Sequence, residues 1–168
     1  MGFDQEYSEA TSVQGRTLAL AESITGGLVA SAFTDLPGAS RNLLLGVVAY
    51  SRGAKERLLH VDRRTMVEHG EVSVECAIEM AMGVRDVSGA DLGASCTGIA
   101  GPSGGSAAKP VGLVYMACFN GACLWAERHL FSGDRLDIKD QACDQMLRMI
   151  SDMAQYYRPS TAYRSERG

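Results

Sequence analysis

Histidine is scarce in this chain, and the three present, His60, His69 and His129, stand far apart. None is paired with another histidine, a cysteine or a carboxylate at a spacing that builds a metal site, and each reads as a surface or loop residue. None falls in a loop suited to catalysis either, which leaves a histidine-based triad without its base. No apolar run is long enough to span a bilayer. The five cysteines, Cys76, Cys96, Cys118, Cys123 and Cys143, include no CxxC pair, and no signal peptide precedes them. Reduced thiols in a cytoplasmic protein are therefore expected. Basic residues are not in excess either. The net charge of −4 and isoelectric point near 5.4 argue against nonspecific nucleic-acid binding, which needs a basic footprint. They leave room for a small anionic ligand held in one local basic pocket.

The 168 residues suffice for one domain with its own core, and 46% of them are hydrophobic. A single domain over 1–168 is expected, with its core at about 16–157 and flexible ends at 1–15 and 158–168. A short helix within 1–15 is weakly signalled. Strands are predicted at Thr17–Glu22, Leu43–Tyr50, Asp91–Thr97, Val111–Phe119 and Ala122–Phe131. Between them lie helical stretches. LVASAFTDL ends at Pro37-Gly38, and 53–60 follows the second strand. Asp62 caps a short helix closed by Gly70, and Ser73 caps a longer one closed by Gly89. The last helix opens at Ser132–Arg135 and carries Ile138, Ala142, Met146, Met149 and Met153 on one side, a stripe that suits core packing. Asn120-Gly121 predicts a two-residue hairpin turn, which would set Cys118 opposite Cys123. The alternation predicts an α/β fold: a three-layer α/β/α sandwich around a mixed, mostly parallel five-stranded sheet containing one antiparallel strand.

Ligands of such sheets bind at the carboxyl ends of the parallel strands. Three loops leave those ends: 22–27 (ESITGG), 50–55 (YSRGAK) and 97–110 (TGIAGPSGGSAAKP). In the first, Ser23 sits where a strand gives way to a helix, beside Gly26 and Gly27. A helix N-terminus offers free N–H donors, which suits a nucleophile with an oxyanion hole. Ser23 or Thr25 could equally be a simple helix cap. In the second, Lys55 lies one helical turn past Tyr50, so both can face one cleft. A serine hydroxyl needs a base, and a lysine whose ordinary pKa near 10.4 is lowered by burial could serve. Tyr50 could relay the proton or hydrogen-bond the oxyanion. The plain alternative is a solvated lysine and a strand-end tyrosine. The third loop, with its successive glycines, Ser103, Ser106 and Lys109, looks like an anion cradle or an ordinary loop. It matches neither the GxGxxG nor the P-loop pattern. Arg135, at a helix start, could reach a phosphate bidentately. Asp134 beside it could be a capping carboxylate that pairs with Arg135.

AESITGG, GVVAYSRGAK, EHGEVS, TGIAGPSGG, KPVGLVY and FSGDR, in this order over about Thr17 to Met149, resemble the CinA C-terminal family, several members of which are nicotinamide-nucleotide amidases. The resemblance implies hydrolysis of nicotinamide mononucleotide to nicotinate mononucleotide and ammonia, with Ser23, Tyr50 and Lys55 as the catalytic residues. For that reaction, substrate binding is expected from the loop residues Thr25, Gly26, Gly27, Thr97, Gly98, Gly101, Gly104, Gly105 and Ser106 and from Arg135. No metal or organic cofactor is implied, and the protein is expected to form a homo-oligomer. The alternatives are a non-catalytic nucleotide-binding or regulatory module of the same family, and an amidase acting on a different small amide. Three positions depart from the family pattern. Ile24 replaces a cysteine, Arg52 an asparagine and Lys139 an arginine; the last two bear on substrate preference.

Overall fold

A computed structural model describes residues 13–156. The N-terminal stretch considered for a short helix and the polar tail lie almost wholly outside the described residues. The elements run β1 (Leu18–Glu22), α1 (Leu28–Thr34), a 3₁₀ turn (Ala39–Arg41), β2 (Leu43–Val48), α2 (Arg52–Leu59), α3 (Arg63–Glu68), α4 (Val74–Ser88), β3 (Leu92–Gly98), β4 (Leu113–Phe119), β5 (Leu124–Leu130) and α5 (Arg135–Tyr156). The strand order is β2-β1-β3-β4-β5. β1 is parallel to β2 and β3, while β4 is antiparallel to both β3 and β5. One strand therefore opposes the other four, as the sequence predicts.

Leucine and alanine alone leave LALAE ambiguous between helix and strand, and the strand-to-helix turn that follows it favours the strand found here. The segment is buried along its whole length as the strand between β2 and β3. Its side chains alternate between two cores. Leu18 and Leu20 join Leu92, Ala94, Cys96, Val114 and Met116 beneath α1 and α5. There the stripe Ile138, Ala142, Met146, Met149 and Met153 is buried. Ala19 and Ala21 face Leu59, Met66, Cys76, Met80 and Val84 of α2, α3 and α4. The sheet is thus covered on both faces, giving the three layers. No helix among the described residues is long and apolar enough to cross a membrane.

The caps explain the helix boundaries. Ser51, Asp62 and Ser73 each accept a backbone N–H in the first turn of α2, α3 and α4. Gly89 closes α4 at φ 70°. Two expectations need correction. The β4–β5 connection is not a two-residue turn, since Phe119 pairs with Leu124 and four residues, 120–123, form the loop. Asn120 is the cause: its side-chain oxygen accepts the N–H groups of Ala122 and Cys123. Cys118 therefore lies opposite Trp125, and Cys123 is exposed while Cys118 is buried; both are free thiols. His129 is also no loop histidine, because it sits in β5 with Nε2 2.6 Å from Glu127 Oε2.

Glycine permits the close contact that brings α4 against the end of α2. A Cβ on Gly83 would stand 1.8 Å from the Leu59 carbonyl oxygen, whereas one on Gly89 meets nothing within 4 Å. Gly83→Ala must therefore displace backbone, and is expected to cost about 2–3 kcal/mol. Gly89→Ala meets only the left-handed backbone penalty of about 1 kcal/mol. Urea unfolding of the two variants should show Gly83→Ala clearly the less stable; equal midpoints would contradict this packing.

Candidate active site

The carboxyl ends of β1, β2 and β3 meet at one edge of the sheet. Ser51 starts α2 immediately beyond β2, and Lys55 projects inward from its first turns. The residue is 1% exposed. Its Nζ donates to Thr97 Oγ1 at 3.2 Å, near the end of β3. Thr97 Oγ1 donates in turn to the Glu71 carbonyl at 2.8 Å. Glu71 also brings its carboxylate to the amine, with Oε2 3.9 Å from Nζ, and its Oε1 is held at 2.6 Å by Arg52. Lys55 is therefore no solvated surface lysine. Thr97 serves as its hydrogen-bond partner.

Ser23 follows β1 directly, is 8% exposed, and is fixed by its backbone N–H to the Cys96 carbonyl. The turn beyond it requires glycine, with φ 64° at Gly26 and 105° at Gly27. Neither Ser23 nor Thr25 caps α1. The capping group is the buried carboxylate of Glu22, which accepts the N–H groups of Gly27, Val29 and Ala30 and the Thr25 hydroxyl. This corrects the expectation of a free helix N-terminus beside Ser23. Gly27 spends its donor on Glu22. Thr25 is fully buried, its hydroxyl shared between Glu22 and Cys96 Sγ. The N–H groups of Ile24 and Gly26 are the loop donors that the described residues leave unengaged. Burial pushes the Cys96 thiol up to about 11, so it stays protonated beside Thr25 and is no rival nucleophile.

Ser23, Tyr50, Lys55, Thr97, Gly98 and Arg135 border one cavity of about 160 Å³, together with Ile24, Glu71, Val72 and Ala100. Tyr50 is 60% exposed at its rim, and its hydroxyl accepts from Arg135 Nη2 at 2.8 Å. Arg135 Nη1 donates to the Gly101 carbonyl at 2.7 Å. Arg135 and Ala100 also border a second cavity, of about 560 Å³, along with Pro102, Val111, Gly133, Asp134 and Leu136. Asp134 accepts the N–H groups of Leu136 and Asp137, a capping role without a pairing to Arg135. One turn along α5, Lys139 Nζ lies 3.7 Å from where a Cβ on Gly26 would stand.

The far half of the glycine-rich loop is placed differently. Gly104, Gly105 and Ser106 are exposed and border neither cavity. Ser106 turns back on Lys109, accepting its N–H and donating to its carbonyl. Lys109 Nζ is bound to the carbonyls of His69 and Val72, so it straps this loop to the segment before α4. Sequence reasoning missed Glu22 and Glu71. Glu22 carries a signal, a carboxylate ending an apolar strand just before a glycine pair. Glu71 carries none, since the residues it meets lie 16 to 26 positions away in the chain.

The CinA C-terminal domain profile matches residues 2–154. A CinA-like protein of Geotalea uraniireducens is 53% identical over 125 residues, covering 74% of this chain and 30% of that protein. A putative competence-damage inducible protein of Caldanaerobacter subterraneus is 51% identical over 129 residues, covering 77% of this chain and 31% of that protein. The chain thus spans about 30% of the length of these relatives. Among solved structures, a CinA superfamily protein of Klebsiella pneumoniae superposes with a TM-score of 0.85 at 29% identity, over 92% of this chain and 100% of that one. The competence/damage inducible protein CihA of Agrobacterium tumefaciens gives 0.82 at 35% identity, over 88% of this chain and 90% of that one.

Removing the Glu22 carboxylate strands several inward-facing donors at once. Glu22→Ala is expected to cost about 3 kcal/mol in urea unfolding, and Glu22→Gln, which keeps an acceptor oxygen, distinctly less. A loss below about 0.5 kcal/mol for Glu22→Ala would contradict the capping role.

Proposed function

This chain belongs to the CinA C-terminal domain family, and from its resemblance to the nicotinamide-nucleotide amidases of that family, taken with the residues its cleft brings together, we propose that it is an amidohydrolase converting nicotinamide mononucleotide to nicotinate mononucleotide and ammonia. The observation that carries the reading is the shared cavity, where an enclosed lysine, a strand-end serine and a tyrosine bound to arginine line one wall system. The smaller cavity suits the reacting carboxamide end. A whole nucleotide needs the several hundred Å³ typical of ligand sites, and the adjoining cavity supplies that space. Arg135 borders both.

In this mechanism Lys55, uncharged at the moment of reaction, takes the Ser23 proton directly or through Tyr50. Ser23 Oγ attacks the carboxamide carbon, and the carbonyl oxygen becomes an oxyanion facing the N–H groups of Ile24 and Gly26. The tetrahedral intermediate expels ammonia as the C–N bond breaks, with the proton returned from Lys55 to the leaving nitrogen. Water then attacks the acyl-enzyme, Lys55 again takes a proton, and nicotinate mononucleotide leaves with Ser23 restored. Arg135 and Lys139, one helical turn apart, supply positive charge for the phosphate. Arg135 exchanges its bond to Gly101 or Tyr50 for the ligand. Gly98 borders the smaller cavity and Ala100 borders both, and the positive pyridinium ring assists by withdrawing electrons.

Ammonia release from nicotinamide mononucleotide by the purified protein, with chelator present, tests the reading. Ser23→Ala should lower turnover at least about 1000-fold while still binding the nucleotide. Full activity in that variant rejects the nucleophile. Binding without ammonia release in the unaltered protein would indicate a nucleotide-binding module, and release from other amides alone would indicate a different amidase.

A further inference from the structure

We propose that Arg52 is a positioning residue that holds the Glu71 carboxylate away from Lys55 and so leaves the amine free to take a proton. The inference rests on the reading of Lys55 as the base. It begins with where Glu71 can go. Its backbone is pinned by Thr97 Oγ1 on its own carbonyl and by Lys109 on the carbonyls of His69 and Val72. The carboxylate therefore has two cations within reach, Arg52 and Lys55, one turn apart on α2. It is bonded to the first at 2.6 Å and stands 3.9 Å from the second, beyond hydrogen-bond distance.

Arg52 is also an unfavourable choice for helix stability. It occupies the first position of α2, where the helix dipole disfavours a cation and where no acidic residue stands in the first turn. Its partner is Glu71, across the mouth of the cleft. Without Arg52, Lys55 is the cation left within 4 Å of Glu71 among the described residues, and the carboxylate would close to the short distance of a charged hydrogen bond. A direct pair with a carboxylate favours the ammonium form, which has no lone pair to accept the serine proton. The other groups around Lys55 do not substitute for Glu71. From α4, Cys76 has its thiol pushed up to about 11 by burial and is uncharged at neutral pH. Glu79 is engaged by Asp62 N–H and the Thr65 hydroxyl. Tyr50 and Arg135 bind one another across the cleft. Glu71 is the anion that Lys55 meets within 4 Å among the described residues.

The test compares Arg52→Ala, Glu71→Gln and the double variant with the unaltered protein. Three readouts are taken: the pH profile of kcat/KM for ammonia release, KM itself, and the pH titration of the Lys55 13Cε resonance by NMR, assigned through Lys55→Arg. Arg52→Ala should move the acid limb upward by about 0.5 to 1 in pH and lower neutral-pH kcat/KM about three- to tenfold, with KM unchanged. Glu71→Gln should move the limb downward, and the double variant should follow Glu71→Gln. The Lys55 resonance should titrate in the same order without any substrate. An Arg52→Ala variant with raised KM and an unmoved limb would overturn the proposal, as would a double variant no better than Arg52→Ala. If the resonance titrates in the expected order but no ammonia is released by the unaltered protein, the amidase reading fails and the role of Arg52 stands. Ammonia release with an unchanged resonance order sinks the role of Arg52 alone.

Discussion

An amine enclosed on nearly every side must find acceptors inside the protein, because an unpaired polar group in a low-dielectric interior is costly. Lys55 finds the Thr97 hydroxyl, and much of the sheet edge is arranged around that contact. Ser51 starts α2 so that Lys55 points inward rather than to solvent. Thr97 is delivered by β3, which lies beside β1, and β1 delivers Ser23. The segment between α3 and α4 is drawn over the same point by Thr97 and Lys109. Two parallel strands and a helix start thus place a hydroxyl and an enclosed amine on one cavity.

Two carboxylates near this point do opposite things. Glu22 is buried and saturated with donors, so it acts as part of the scaffold and fixes the turn after Ser23. Glu71 is half-buried and divided between two cations, so its effect depends on which one holds it. The first consumes helix donors and leaves the N–H groups of Ile24 and Gly26, the pair proposed for the oxyanion, unengaged among the described residues. The second sets the electrostatic environment of the proposed base. The glycine-rich loop divides likewise. Its first turn borders the cleft through Gly98 and Ala100 and anchors Arg135 through the Gly101 carbonyl, while its far half is a strap closed by Lys109.

The architecture was legible because strand-end and helix-start signals are local. Ser51, Asp62, Ser73 and Gly89 act within a few residues of themselves, and alternation in LALAE is resolved by its neighbours. The convergence of Ser23, Tyr50 and Lys55 was legible from topology, since parallel strands deliver their carboxyl ends to one side of the sheet, whereas Arg135 was singled out only by its place at a helix start. Other features were hidden because they depend on partners distant in sequence or on a side chain competing for the backbone. Glu71 meets Lys55 and Thr97 only after α2, α3 and β3 have packed. Asn120 lengthens the β4–β5 loop because its oxygen captures two N–H groups, which the Asn-Gly pair alone does not reveal. Gly104, Gly105 and Ser106 have the composition of an anion cradle, yet Lys109 draws that half of the loop toward His69 and Val72.

The central claim is that Ser23 becomes covalently acylated. Rapid acid quenching of the protein turning over nicotinamide mononucleotide, followed by mass spectrometry of its peptides, reads this directly. The account predicts a nicotinoyl-nucleotide adduct on the peptide carrying Ser23, rising before steady-state ammonia release and absent when Lys55 is replaced by methionine. Steady ammonia release with no adduct on that peptide at any quench time, or an adduct located on another residue, would contradict it.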